Sequence, residues 1–347
     1  MKLHKTSRRW FRAGLAVCGL AALLAILPTK FGSMAGSPAS PKNNAAFKIT
    51  HVGAAGIENY DIRSDKSDAA ARTMEAIRTK ANRGADLFAS KRQQLLNGES
   101  QLRGRVNNLV VEYSPDLRAP EVIGVDERNT AFLTASSGIG PNQKHADQVR
   151  AFLAQNNDLV GLSHAQLDQL TVRADYTDPD GRLSWVDLDQ QINGIPVFRG
   201  EVRAMITPNG EIARVINNLA PGLDYNSLPT DPGRAEDAVF AAIRSINRTP
   251  SNEDVQLRST EQDGKVKTFY TGQFADPSRA ELMYFPLEPG VATLAWRVSL
   301  IEPVDSYYVV VDAQTGALLW RKNTTDDQTQ SATYGVYTDD SPAPLSP

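Results

Sequence analysis

Residues 190–217, QQINGIPVFRGEVRAMITPNGEIARVIN, decide how the chain folds. Asn193-Gly194 breaks one β-rich run and Pro208-Asn209-Gly210 breaks another, so the segment between them reads as the central strand of an antiparallel meander. Gly194 and Gly210 supply the backbone freedom of the turns. Pro196 fits only where a ladder donor is not needed, and Val197 with Phe198 supplies bulk for a core. None of these side chains carries catalytic chemistry.

The same residues resemble a known module. Gln191, Gly194, Ile195, Pro196, Val197 and Phe198, followed by a strand and then Gly210, are similar to the core of the fungalysin/thermolysin propeptide (FTP) module: Gln, a short gap, Gly-[Ile/Val]-Pro-Val-[Phe/Tyr], a strand and a turn glycine.

The chain has 347 residues, 41% hydrophobic and 22% charged, enough for two or three small domains with packed cores. Its first 35 residues hold six Lys/Arg and no acid, and Ala13 to Leu27 is apolar, which is the layout of a signal peptide. Processing is expected between Ala35 and Gly36, with Ala39 as a second option and an uncleaved anchor as the alternative. The sole cysteine, Cys18, lies within that apolar run, so the mature protein is expected to have neither thiol nor disulfide. Loss of residues 1–35 leaves 31 basic against 40 acidic residues, about −9, a sign that disfavours nucleic acid as a partner. The expected location is secreted, with no membrane contact after signal removal.

Residues 36–66 read as a linker, rich in Pro, Ser and Asn at its start. A helix is expected over 67–97, with Met74, Ile77, Ala81, Phe88 and Leu95 on one stripe and Asn97-Gly98 as a stop. Short strands follow at 106–114, 120–125 and 130–135, completing a lead-in over 67–140; they form either a small β region or an edge to what comes next. A module over 145–220 begins with a helix whose face is Ala146, Val149, Phe152 and Leu153. Ser163 and Gln166 have capping-box spacing, and four strands follow. A second module over 230–323 repeats the plan: Asp231 and Pro232 open a helix with Ala238, Val239, Ala242, Ile243 and Ile246 buried, and six strands come after it. In the closing turn, the Asp312 carboxylate can accept backbone donors and Gly316 can take the left-handed conformation. The fold class is α+β: two tandem modules, each a helix on an antiparallel sheet.

This second half resembles a PepSY module through Leu294, Ala295, Trp296, Arg297 and Val298, then Tyr308 to Ala313, Thr315-Gly316 and Leu318-Leu319. FTP followed by PepSY is the order of the propeptides of bacterial fungalysin-like metallopeptidases. The resemblance implies two cystatin-like modules that chaperone and inhibit a cognate catalytic domain. It further implies a cleavage region around Thr324, Asp327, Gln330 and Thr333, with residues 324–347 forming a linker and the start of that domain.

A peptidase of that family needs His-Glu-x-x-His to bind zinc and activate water. The four histidines, His4, His51, His145 and His164, are each followed by another residue type, and no pair has ligand spacing. There is no Gly-x-Ser-x-Gly and no phosphate-binding glycine loop. The paired acids Asp178/Asp180 and Asp326/Asp327 fall in expected loops. The chain is therefore expected to be non-catalytic and to hold no cofactor, zinc belonging only to the missing catalytic domain. The alternative is a free-standing secreted protein that inhibits peptidases in trans.

Overall fold

A computed structural model of the chain describes residues 57–81, 85–126, 132–134, 144–251, 255–272, 274–302 and 305–325. All belong to one compact unit, Ile49–Thr329; the other unit, Met1–Lys48 with Gln330–Pro347, lies outside them, as do Ala35, Gly36, Asp327, Gln330 and Thr333.

The lead-in comprises β1 (Tyr60–Asp61), α1 (Asp68–Lys80), α2 (Ala85–Arg103), β2 (Leu109–Tyr113) and β3 (Pro120–Val125). The first module comprises α3 (His145–Gln155), α4 (Asn157–Val160), α5 (His164–Leu167), β4 (Thr171–Thr177), β5 (Ser184–Ile192), β6 (Ile195–Ile206) and β7 (Ile212–Asn217). The second comprises α6 (Ala235–Ser245), β8 (Val255–Glu261), a 3₁₀ turn, β9 (Val266–Thr271), β10 (Ser278–Glu288), β11 (Val291–Ile301), β12 (Ser306–Asp312) and β13 (Leu318–Asn323). The class is α+β, with antiparallel ladders throughout each half.

In the first module, α3 buries Ala146, Val149, Phe152 and Leu153 against Val186 and Leu188 of β5 and Val202, Ala204 and Ile206 of β6. Ser163 Oγ accepts from Gln166 N and the Gln166 side chain accepts from Ser163 N, the capping box that the spacing implied. The lead-in strands are an edge of this sheet: β3 pairs with β7, and β2 with β3. Of the expected strand over 130–135, residues 132–134 are described and are not a strand. Leu133 N donates to Ile212 O and Thr134 Oγ1 accepts from Ile212 N, so the segment caps β7.

Two local expectations are overturned. The single helix expected over 67–97 is two helices, the first ending at Ala81, and Asn97-Gly98 lies inside the second. Gly98 is a packing glycine: a Cβ there would stand 2.2 Å from Leu159 N, so its bareness lets α2 and α4 meet backbone to backbone. Nor do Asp231 and Pro232 open the second module's helix, whose N-cap is Arg234. Their groups are used elsewhere, Asp231 Oδ1 accepting from Gly233 N and Pro232 O from the Trp296 indole.

In the second module, α6 buries Ala238, Val239, Ala242 and Ile243 on one face of the sheet, against Phe269, Leu294, Trp296, Val298, Val309 and Val311. The opposite face is half covered by α1. Its Ala70 and Ile77 pack with Met283, Phe285, Ala295 and Val310, and Arg78 holds Glu288 through two hydrogen bonds of 2.7 and 2.8 Å. Within the stretch expected to be a linker, Tyr60–Asp61 pairs with Trp320 and Arg321 of β13. This pairing satisfies an edge that the sequence of β13 alone does not reveal.

The two sheets are continuous. Val197 of β6 pairs in parallel with Tyr284 of β10, so the modules share one 13-stranded sheet.

Candidate functional site

The join between the modules is made by the signature residues. The β5–β6 hairpin turns through Asn193 at φ 55° and Gly194 at φ 71°, the two positive-φ positions of a two-residue loop. The exposed Pro196 then faces Gln191 across the ladder. At Arg199-Gly200 the strand changes course. Arg199 has φ 53°, and a Cβ on Gly200 would come within 2.7 Å of the Val197 Cβ, so a bare residue is required there. The second half of β6 remains in the first module's sheet.

The first half of β6 keeps its pairing with the end of β5 and adds the parallel pair to β10, but its side chains serve the second module. Ile195 and Val197 pack into the α6 core of the second module, and Phe198 packs on that module's other face. The Phe198 ring lies 5.0 Å from Phe285 and 5.1 Å from Trp320, tilted to the first and edge-on to the second. The bulk read from Val197 and Phe198 therefore fills the neighbouring module's core.

The glutamine that anchors this hairpin is Gln190. It is buried; its Oε1 accepts from Ala220 N at 2.7 Å and its Nε2 donates to the Tyr225 hydroxyl at 2.9 Å. Gln191 is only half buried. Periodicity marks Gln190 in the sequence: Val186, Leu188, Gln190 and Ile192 all point inward at period two, and a polar residue at an inward position needs partners.

Trp296 and Asp312 hold the second module. The Trp296 indole donates to Pro232 O at 2.7 Å, fixing the entry to α6. Asp312 Oδ1 accepts from Thr315 N at 2.9 Å and Thr315 Oγ1 at 2.8 Å, while its Oδ2 accepts from Thr293 Oγ1 at 2.6 Å. Gly316 closes the turn at φ 67°. Thr324 N donates to Ser306 O at 2.7 Å, so the first residue of the expected cleavage region is tied to β12.

Beside Phe198, on the sheet face that α1 packs on, lies a cleft of about 490 Å³ floored by Met283. Its walls carry Arg199, Lys265, Arg279 and Arg297. Arg199 lies 5.4 Å from the Phe198 ring centre and 5.2 Å from that of Trp320, with Asp116 3.9 Å from its Nη1. Arg297 stacks 5.4 Å from Tyr308. Glu281 accepts from both Arg279 and Arg297; burial raises its pKa, but the two guanidiniums together outweigh burial and hold it below the usual carboxylate range. On the adjoining face, Asp187 accepts from Arg203 at 2.6 and 2.7 Å, and these bonds lower its pKa.

Among the described residues no three or more His, Cys, Asp or Glu side chains converge as a metal site would require, and none of the helices is long and apolar enough to cross a membrane. His145 Nδ1 lies 3.0 Å from Asp175 and His164 Nε2 3.1 Å from Ala154 O, in different places.

Residues 168–219, which span β4 to β7, match the family model for the Fungalysin/Thermolysin Propeptide Motif (FTP). The chain thus carries a propeptide motif of that type. No curated protein matches the chain. Among solved structures it is similar to the Bacillus megaterium YpeB C-terminal domain, at 10% identity over 67% of this chain and 96% of that one, with a TM-score of 0.25.

Proposed function

We propose that this chain is the prosegment of a secreted fungalysin/thermolysin-type zinc metallopeptidase, a PepSY-like second module following the FTP module, and that it assists folding of the cognate catalytic domain and inhibits it. The observation that carries the reading is the propeptide motif over 168–219, whose signature hairpin is wedged into the second module. Two modules locked in this way present the uncovered faces of one sheet as a preformed surface, which lowers the ordering cost of binding a partner. The segment after Trp320 would run toward the catalytic cleft, with cleavage around Thr324, Asp327, Gln330 and Thr333 releasing the enzyme. Zinc would be held by the His-Glu-x-x-His of the catalytic domain, a motif this sequence lacks. Delivery to the outside would use residues 1–35.

The test is addition of the purified chain to the cognate catalytic domain, native and denatured. Stoichiometric inhibition of the native enzyme and a raised yield of active refolded enzyme are expected. If neither occurs, the reading fails.

A further inference from the structure

The cleft beside Phe198 has more cationic capacity than the chain itself uses. Arg199 and Arg297 are stacked on aromatic rings, yet their side chains remain 52% and 39% exposed. Stacking fixes the plane of a guanidinium and leaves its N–H edge available, so little freedom remains to be lost when a carboxylate arrives. Lys265, on the other wall, has no ion-pair partner among the described residues. Glu281 is shared by two arginines, and Glu201 is engaged by Arg173. The lining thus sets four cations against Glu201 and Glu281, with Asp116 and Glu261 reaching Arg199 and Arg279 only at 3.9 Å from outside it, in a chain whose net charge is −3.

We propose that this cleft is the docking site for an acidic segment of the peptidase partner, with an Asp or Glu side chain seated between Lys265 and the stacked arginines. The identity of the partner rests on the prosegment reading; the class of occupant rests on charge complementarity. A polyphosphate backbone fits less well, because Glu201 and Glu281 line the same cleft and the whole chain is acidic. The composition is that of a binding hot spot, with Trp, Tyr and Arg over an apolar floor.

The experiment has two arms, both using the full chain. In the first, a fluorescein-labelled hexaglutamate peptide is titrated by anisotropy into wild type and Lys265→Glu, with hexaserine and a single-stranded oligonucleotide as controls. Lys265→Glu breaks no ion pair among the described residues, and its melting curve verifies the fold. The acidic peptide is expected to bind wild type, about tenfold more weakly to the variant, and more weakly as salt rises. Absence of binding, equal affinity for the two proteins, or tighter binding of the oligonucleotide overturns the proposal.

In the second arm both proteins are tested as inhibitors of the cognate peptidase. A weakening of about tenfold in Lys265→Glu supports the docking site. Equal inhibition by both overturns it and leaves the prosegment reading standing. If neither inhibits, the prosegment reading falls and takes the partner's identity with it.

Discussion

Phe198→Ala tests whether the signature hairpin belongs energetically to the second module. The ring is 7% exposed, lies 5.0 Å from Phe285 and 5.1 Å from Trp320, and supports one side of Arg199. Truncating a buried phenylalanine costs about 3–5 kcal/mol, from lost transfer energy and the cavity left behind. The two aromatic contacts, worth about 0.5–1.5 kcal/mol each, place the expected loss within that range. For a unit of this size the midpoint of thermal unfolding should fall by on the order of 10 °C. The assay is urea unfolding of the 5-fluorotryptophan-labelled protein followed by fluorine NMR, which keeps every ring in place: Trp185 reports on the first module, and Trp296 and Trp320 on the second. Both probes should show the same lowered midpoint, because one side chain from the first module completes the second module's packing. A loss below about 1 kcal/mol would refute the reasoning, since it would place Phe198 outside any packed core. So would a shift at Trp185 with none at Trp296 and Trp320.

Gly98→Ala should lower the melting temperature although alanine is the better helix former by about 1 kcal/mol, because its Cβ would meet Leu159 N at 2.2 Å; an unchanged or raised melting point contradicts the backbone contact between α2 and α4. Asp312→Ala should cost on the order of 2–3 kcal/mol in chemical denaturation, since it leaves the Thr315 amide and the buried Thr293 hydroxyl without their acceptor. Asp187 has a pKa lowered by its Arg203 bonds, so its contribution to stability is present above the unfolded-state carboxylate value and is lost as pH falls through the lower folded value. Asp189, raised chiefly by burial, works with the opposite sign and offsets part of that loss. Urea midpoints from pH 6 to 3 should therefore fall less steeply in Asp187→Asn than in wild type, and parallel curves would disprove the assignment.

The local chemistry of each half was legible in the linear sequence. Asn193-Gly194, the Ser163/Gln166 capping box, the α6 stripe and the Asp312 to Gly316 turn each depend on residues a few positions apart, and short-range geometry is what a sequence states directly. Gly98 and Asp231 depart from their sequence expectation for a related reason. Glycine ends helices and Asp-Pro begins them when only the chain is considered, but here the deciding contacts, Leu159 and Trp296, are about 60 residues distant. Gln190 lay between these cases, visible through period two but not through the family phrase.

The candidate site was not legible, since its parts come from β6, β9, β10, β11, β12 and β13. No spacing rule brings Arg199, Lys265, Arg297 and Trp320 to one cleft. By itself the sequence determined two helix-on-sheet units, a motif of the propeptide kind, and the want of a zinc-binding His-Glu-x-x-His. Tertiary structure alone decided that Ile195, Val197 and Phe198 complete the neighbouring module, because a strand kinked at Arg199-Gly200 can serve two cores. The alternation along a strand says which residues are buried; only the fold says against what.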